Sequence, residues 1–138
     1  MPWSTEDLIY AAALIDGEGS VVIQRHTASF VAPRVQCAMT TKSVIYWLND
    51  TFGGYAGPNK LKEGRKPSWQ WALTGKHCVP FLTAILPYLK IKHEQAKLCL
   101  AYLQTTRNPG RDGYTVKETV VRQAIVDKVK FLNQRGAA

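Results

Sequence analysis

Asp16-Gly17-Glu18-Gly19 places two carboxylates two residues apart between glycines. Hard divalent cations favour carboxylate and carbonyl oxygens, so such a turn can contribute to a metal site. The residues before it read as a helix. Ser4 is a good N-cap, Asp7 follows three positions on where a capping box wants an acid, and residues 8–15 are apolar and alanine-rich. After Gly19, Ser20-Val21-Val22-Ile23 reads as a strand. Acids at a helix C-terminus face the negative end of its dipole, so Asp16 and Glu18 need a capping donor or a cation nearby. Ala11, Ala12 and Ala13 keep the helix small-sided, which invites a partner helix. If that partner is a second copy, two Glu18 carboxylates meet near a two-fold axis, one from each chain.

The remaining elements must position that turn. Residues 20–26 form a first strand, with Val22, Gln24 and His26 on its more polar side. After a hairpin loop at 27–32, a second strand over 33–40 alternates Val35, Cys37 and Met39 with Arg34, Gln36, Ala38 and Thr40. Guanidinium, amide and hydroxyl groups of the second set are the kind that read base edges in a major groove, although a solvated strand face looks the same. A helix over 43–52 ends at Gly53-Gly54. A third strand over 55–61 leads into a basic turn holding Lys60, Lys62, Arg65 and Lys66, suited to phosphate contacts. A fourth strand over 68–74 sets Trp69, Trp71 and Leu73 to the core and Gln70 to the other side. Its tryptophans could alternatively stack on single-stranded bases. Helices over 77–86, up to 105 and over 115–134 complete the chain, with residues 136–138 frayed.

The resulting order, αββαββα plus extra C-terminal helices, predicts an α+β fold. A four-stranded antiparallel sheet would carry its helices on one face and leave a polar, saddle-like face bare. The chain of 138 residues is expected to form one domain, with its core over about 4–105 and a C-terminal helix at about 115–134. A net charge of +8, spread through a patterned domain, favours an acidic polymer as partner. No apolar run of membrane-spanning length occurs, so no membrane partner is expected. No secretory leader is visible, and Cys37, Cys78 and Cys99 read as buried thiols of a reducing, intracellular compartment.

Residues 11–19 resemble the LAGLIDADG motif of homing endonucleases. Ala12, Leu14-Ile15-Asp16 and Gly19 match it letter for letter. Ala11 stands for a leucine, Ala13 for a glycine, Gly17 for an alanine and Glu18 for the second aspartate. A second segment, Leu86-Pro87-Tyr88-Leu89-Lys90-Ile91-Lys92 followed by Gln95-Ala96, resembles the proline, lysine and Gln-Ala stretch of the same family. The resemblance covers about residues 4–105.

The resemblance implies the LAGLIDADG fold and a sequence-specific endonuclease that hydrolyses double-stranded DNA with Mg²⁺. It implies cuts across the minor groove that leave short 3′ overhangs, with Mn²⁺ substituting and Ca²⁺ binding without cleavage. Glu18 is then the metal ligand, with help from the Gly17 carbonyl, and Lys92 the active-site lysine. Asp16 caps a neighbouring helix. Thr41 falls where family members commonly carry a water-orienting glutamine, and Ile45 where they carry an arginine; Ile45 supplies no cation, though Lys42 is near. One motif per chain implies a homodimer on a pseudo-palindromic site, with Leu8, Ala11, Ala12, Ala13, Ile15 and Asp16 at the shared interface. Base readout is expected from Gln24, His26, Arg34, Gln36, Thr40 and Gln70, and phosphate contacts from Lys60, Lys62, Arg65 and Lys66. Such proteins serve intron homing. The same fold also serves as an intron RNA maturase or a DNA-binding regulator without cleavage, and these stand as alternatives.

Overall fold

The computed structural model describes residues 3–27 and 30–134. Its first helix, α1 (Thr5–Glu18), starts where the Ser4 hydroxyl accepts the Asp7 N–H at 3.1 Å. It runs past Ile15 to Glu18, further than the expected end, because the Gly19 N–H closes the last turn on the carbonyls of Ile15 and Leu14. Strand β1 (Gly19–Arg25) follows without a connecting loop. A side chain at position 19 has no room. A Cβ there would lie 2.8 Å from the Gln36 carbonyl oxygen and 2.9 Å from the Ile15 Cα.

Strand β2 (Val31–Met39) pairs antiparallel with β1, and helix α2 (Lys42–Phe52) follows it. Gly53 ends α2 at φ +79°, giving its N–H to Asn49. Strand β3 (Tyr55–Pro58) stops three residues earlier than expected. Pairing with β4 (Trp69–Thr74) persists only through Asn59, whose backbone and amide N–H groups both reach Ser68. The basic loop begins there. A 3₁₀ turn at Gly75–His77 leads into α3 (Cys78–Ile85), and a second at Leu86–Tyr88 follows it. Helices α4 (His93–Gln104) and α5 (Val116–Gln134) complete the chain. The expected frayed end at 136–138 lies outside the described residues, as do Ala28 and Ser29 of the expected hairpin loop.

The sheet order is β1-β2-β4-β3, all antiparallel. Period-two alternation sorts it into two faces. Val21, Val35, Cys37, Trp71 and Leu73 join Ile15, Ile45, Leu48, Phe81 and Ile85 in one buried cluster beneath α1–α4. Trp71 and Phe81 meet edge to face, with centroids 5.2 Å apart, and the Trp71 indole N–H is satisfied by the Gly53 carbonyl.

Helix α5 packs against α4 and β1, an edge strand of the sheet. Val129 is its buried anchor. Asn133 donates its amide to the Val21 carbonyl at 3.0 Å and accepts from the buried Gln95 at 3.3 Å. A free strand edge is a template for unwanted pairing, and α5 occupies part of this one. No helix among the described residues is long and apolar enough to cross a membrane.

Candidate functional site

The turn at residues 16–19 is tied to a segment more than seventy residues away. The Asp16 carboxylate accepts the Lys90 N–H at 2.7 Å through one oxygen and the Lys92 N–H at 2.9 Å through the other. The Lys92 ammonium returns a bond of 2.7 Å to the Asp16 carbonyl. These bonds compensate an acid in the last turn of α1, where the helix dipole opposes it. They also leave Asp16 no unpaired carboxylate oxygen, so Asp16 holds Lys92 in position.

Gly17 and Glu18 remain exposed at the end of α1. The buried Cys37 lies opposite Gly19 in the ladder, and its thiol is pushed up to about 11 by burial and by the nearby Glu18 charge. Glu18 is thus an accessible carboxylate beside the exposed Gly17. These oxygens suit a hard cation, but they make only part of a shell. Ca²⁺ takes six to eight oxygens and Mg²⁺ about six. Among the described residues no three His, Cys, Asp or Glu side chains gather. A cation at Glu18 would complete its shell with backbone carbonyls, water, phosphate or a second chain.

Thr41 is the N-cap of α2 but makes no side-chain capping bond. Ile45 is wholly buried in the core. The Lys42 ammonium sits over the rings of Tyr46 and Trp69, at 5.7 and 5.8 Å. That cation–π placement directs Lys42 to the aromatic side of α2.

The proposed interface set on α1 needs correction. Ala11, Ala12 and Ile15 have 0% exposure within the monomer. With the half-buried Leu8 they form the i, i+3, i+4, i+7 stripe that faces the chain's own core. The three wholly buried residues have no surface left for a second copy, whereas Leu8 keeps part of its own. Asp16 gives its carboxylate to its own chain. Ala13 does stay exposed, and the outward face also carries Ile9, Tyr10 and Gly17. Tyr10 is propped edge-on by Trp47, with centroids 5.2 Å apart.

The face of the sheet away from the core carries Ser20, Val22 and Gln24 on β1 and Arg34, Gln36 and Ala38 on β2. It continues with Gln70 and Thr74 on β4 and Tyr55 on β3, by the parity of the ladders. Arg34 stands between Val22 and Thr74, and Gln36 between Ser20 and Ala72. Tyr55 was not singled out from the sequence, and Thr74, which the alternation of the fourth strand sets on the side of Gln70, was not named as a base reader.

His26 is a second correction. Strand β1 ends at Arg25, and His26 lies in the turn beyond it, where its N–H bonds the Phe30 carbonyl at 2.7 Å. Its ring packs on Phe30 at 5.4 Å, and its Nε2 is shielded from solvent. Its Nε2, as placed, is not open to a base edge. Thr40 is exposed just past β2. Lys60, Lys62, Arg65 and Lys66 are all exposed on the β3–β4 loop, in a turn closed by the Arg65 N–H on the Lys62 carbonyl.

The chain matches no protein-family model and no curated protein. Its structure is similar to that of the homing endonuclease I-CvuI in complex with its target, with a TM-score of 0.75 and 20% identity over 92% of this chain and 82% of that one. It is similar to the homing endonuclease I-TnaI, with a TM-score of 0.64 and 16% identity over 93% and 96% of the two chains. It is also similar to the LAGLIDADG homing endonuclease I-GzeII in complex with its DNA target. There the TM-score is 0.64 and the identity 17%, over 86% of this chain but only 42% of that one.

Proposed function

The chain has the LAGLIDADG homing-endonuclease fold, and from that premise we propose that it is a metal-dependent, site-specific DNA endonuclease acting as a homodimer. The observation that carries this is the clamp at the turn: Asp16 spends its carboxylate holding Lys92, while Glu18 is left exposed beside Gly17. A helix end with no chemistry to do has no need of one tethered acid, one accessible acid and a held lysine.

In this reading Glu18 and the Gly17 carbonyl hold Mg²⁺, with Mn²⁺ able to replace it and Ca²⁺ binding without cleavage. The metal neutralises phosphate charge and lowers the pKa of bound water. Lys92 keeps N–H donors beyond the one given to Asp16, and these face the charge that builds on the scissile phosphate. Thr41 offers an uncommitted capping hydroxyl to orient a water. The open face reads base edges through Gln24, Arg34, Gln36 and Gln70, with Thr40 at its margin, and the 60–66 loop holds phosphates.

Two observations support the homodimer. Among the described residues no cluster of three His, Cys, Asp or Glu forms around Glu18, and the chain spans only 42% of I-GzeII. The shared surface is the outward face of α1, Ile9, Tyr10, Ala13 and Gly17, and the target is pseudo-palindromic, cut to leave short 3′ overhangs.

The test is a randomised duplex pool incubated with the protein in Mg²⁺ and in Ca²⁺, beside Glu18→Gln, followed by sequencing of bound and cut molecules. We expect near-palindromes that are cut only by the unaltered protein in Mg²⁺ and bound equally by Glu18→Gln. Enrichment without cutting would indicate a DNA-binding regulator. Preference for structured RNA over every duplex would indicate a maturase.

A further inference from the structure

Arg34, Gln36 and Thr74 are joined into one unit on the open face. Arg34 Nε donates to Gln36 Oε1 at 2.7 Å, and a terminal Arg34 nitrogen donates to Thr74 Oγ1 at 3.4 Å. Arg34 and Thr74 are direct cross-strand partners, and Gln36 lies two positions along the same face of β2. All three are half-buried.

The first bond fixes how Gln36 can read a base. A guanidinium has five N–H donors and no acceptor, so the amide atom facing it must be the carbonyl oxygen. An unattached glutamine offers one acceptor and one donor, which match the N6–H and N7 of adenine. Gln36 has its acceptor engaged by a cation. An adenine N6–H would have to share that oxygen with a charged donor 2.7 Å away. What Gln36 offers free of competition is its N–H₂ group, because the second lone pair of its oxygen lies beside the guanidinium charge. Arg34 adds further N–H donors, and Thr74, accepting from Arg34, keeps an O–H that can donate.

A surface dominated by donors matches an edge rich in acceptors. Guanine presents both N7 and O6 in the major groove, whereas adenine and cytosine each place a donor there and thymine offers a single acceptor beside its methyl group. We propose that Arg34, Gln36 and Thr74 act as one donor-dominated reader of guanine, in which Arg34 sets the base preference of Gln36. The inference rests on the reading of the open face as a duplex-DNA surface. It reverses what Gln36 alone would select.

The experiment is sequencing of duplexes bound in Ca²⁺ from a randomised pool by the full chain and by three variants. Gln36→Met should relax one position in each half-site and so identify the base pair under Gln36. The unaltered protein should hold guanine there. Arg34→Met should free the Gln36 carbonyl and switch that position to adenine, moving the guanine-to-adenine ratio on the order of tenfold. Thr74→Val should weaken the guanine preference without switching it, which preserves a test if Arg34→Met melts before the unaltered protein in a thermal scan. Adenine at the Gln36 position of the unaltered protein would overturn the inference. So would a preference there that Arg34→Met and Thr74→Val both leave unchanged. Either result leaves the endonuclease reading intact, whereas a failure of the unaltered protein to enrich any motif would remove both.

Discussion

The turn at residues 16–19 and the open face of the sheet carry the two halves of the proposed activity, and they are held in different ways. The turn is fixed through backbone. Gly19 lies against the Gln36 carbonyl and the Ile15 Cα, and Asp16 grips two main-chain N–H groups across 74 and 76 residues. The open face is held by side chains alone. Among the described residues its bonded cluster is Arg34, Gln36 and Thr74, and Ala38, Val22 and Gln24 stand around it on the same face. A protein built this way can alter the sequence it reads while the geometry that cuts stays constant.

The sharpest way to break that comparison is at Gly19. A methyl group there meets backbone atoms at 2.8 and 2.9 Å, and backbone cannot rotate away. Gly19→Ala should cost about 3 kcal/mol by forcing α1 and β2 apart. A urea titration reads the loss. A stability unchanged within error would mean that the α1–β1 junction is looser than its contacts indicate. The same substitution at Gly17, where nothing lies within 4 Å of the added carbon, should leave monomer stability nearly unaltered.

Asp16 tests the link from structure to chemistry. Asp16→Ala leaves the N–H groups of Lys90 and Lys92 without their acceptor, at about 1–3 kcal/mol. It also frees the segment that places Lys92. Cleavage of the selected site should slow through kcat, with KM and base preference kept, because the open face is untouched. Asp16→Asn retains one acceptor oxygen and should recover part of both losses. An equal fall in affinity would assign Asp16 to DNA binding instead.

Sequence patterns reached these two regions unequally, for physical reasons. Alternation on β2 and β4 sorted Arg34, Gln36 and Gln70 from Val35, Cys37 and Trp71, because period two is local. The Ser4 cap is equally local. The inward side of α1 was not legible, since three consecutive alanines look alike from every direction and only packing reveals that Ala13 faces out while Ala11 and Ala12 face in. His26 lies one residue past the strand end, where its ring packs on Phe30 and its Nε2 is shielded, which strand alternation does not show. Asn133 gave no signal, because its partner is a main-chain carbonyl 112 residues away. The grip of Asp16 on Lys90 and Lys92 also spans 74 and 76 residues, and there only the family resemblance of both segments pointed to a shared site.

The smallest effects should come from the loop at residues 60–66, whose cations are exposed and lie outside the ladder. Phosphate contacts add affinity without sequence information. Each neutralised phosphate contributes about 0.9 to the slope of log affinity against log salt. Replacing Lys62 and Lys66 together by alanine should therefore lower that slope by roughly 2, weaken binding alike on selected and random duplexes, and leave the selected bases unchanged. Melting should be unaffected, since neither side chain packs on the core. If the double variant instead altered the selected bases, the loop would be reading sequence, and the division between a phosphate-holding loop and a base-reading sheet would have to be redrawn at the β3–β4 connection. If the slope did not move, the loop would lie off the duplex, and the charge that holds the backbone would have to come from another exposed part of the chain.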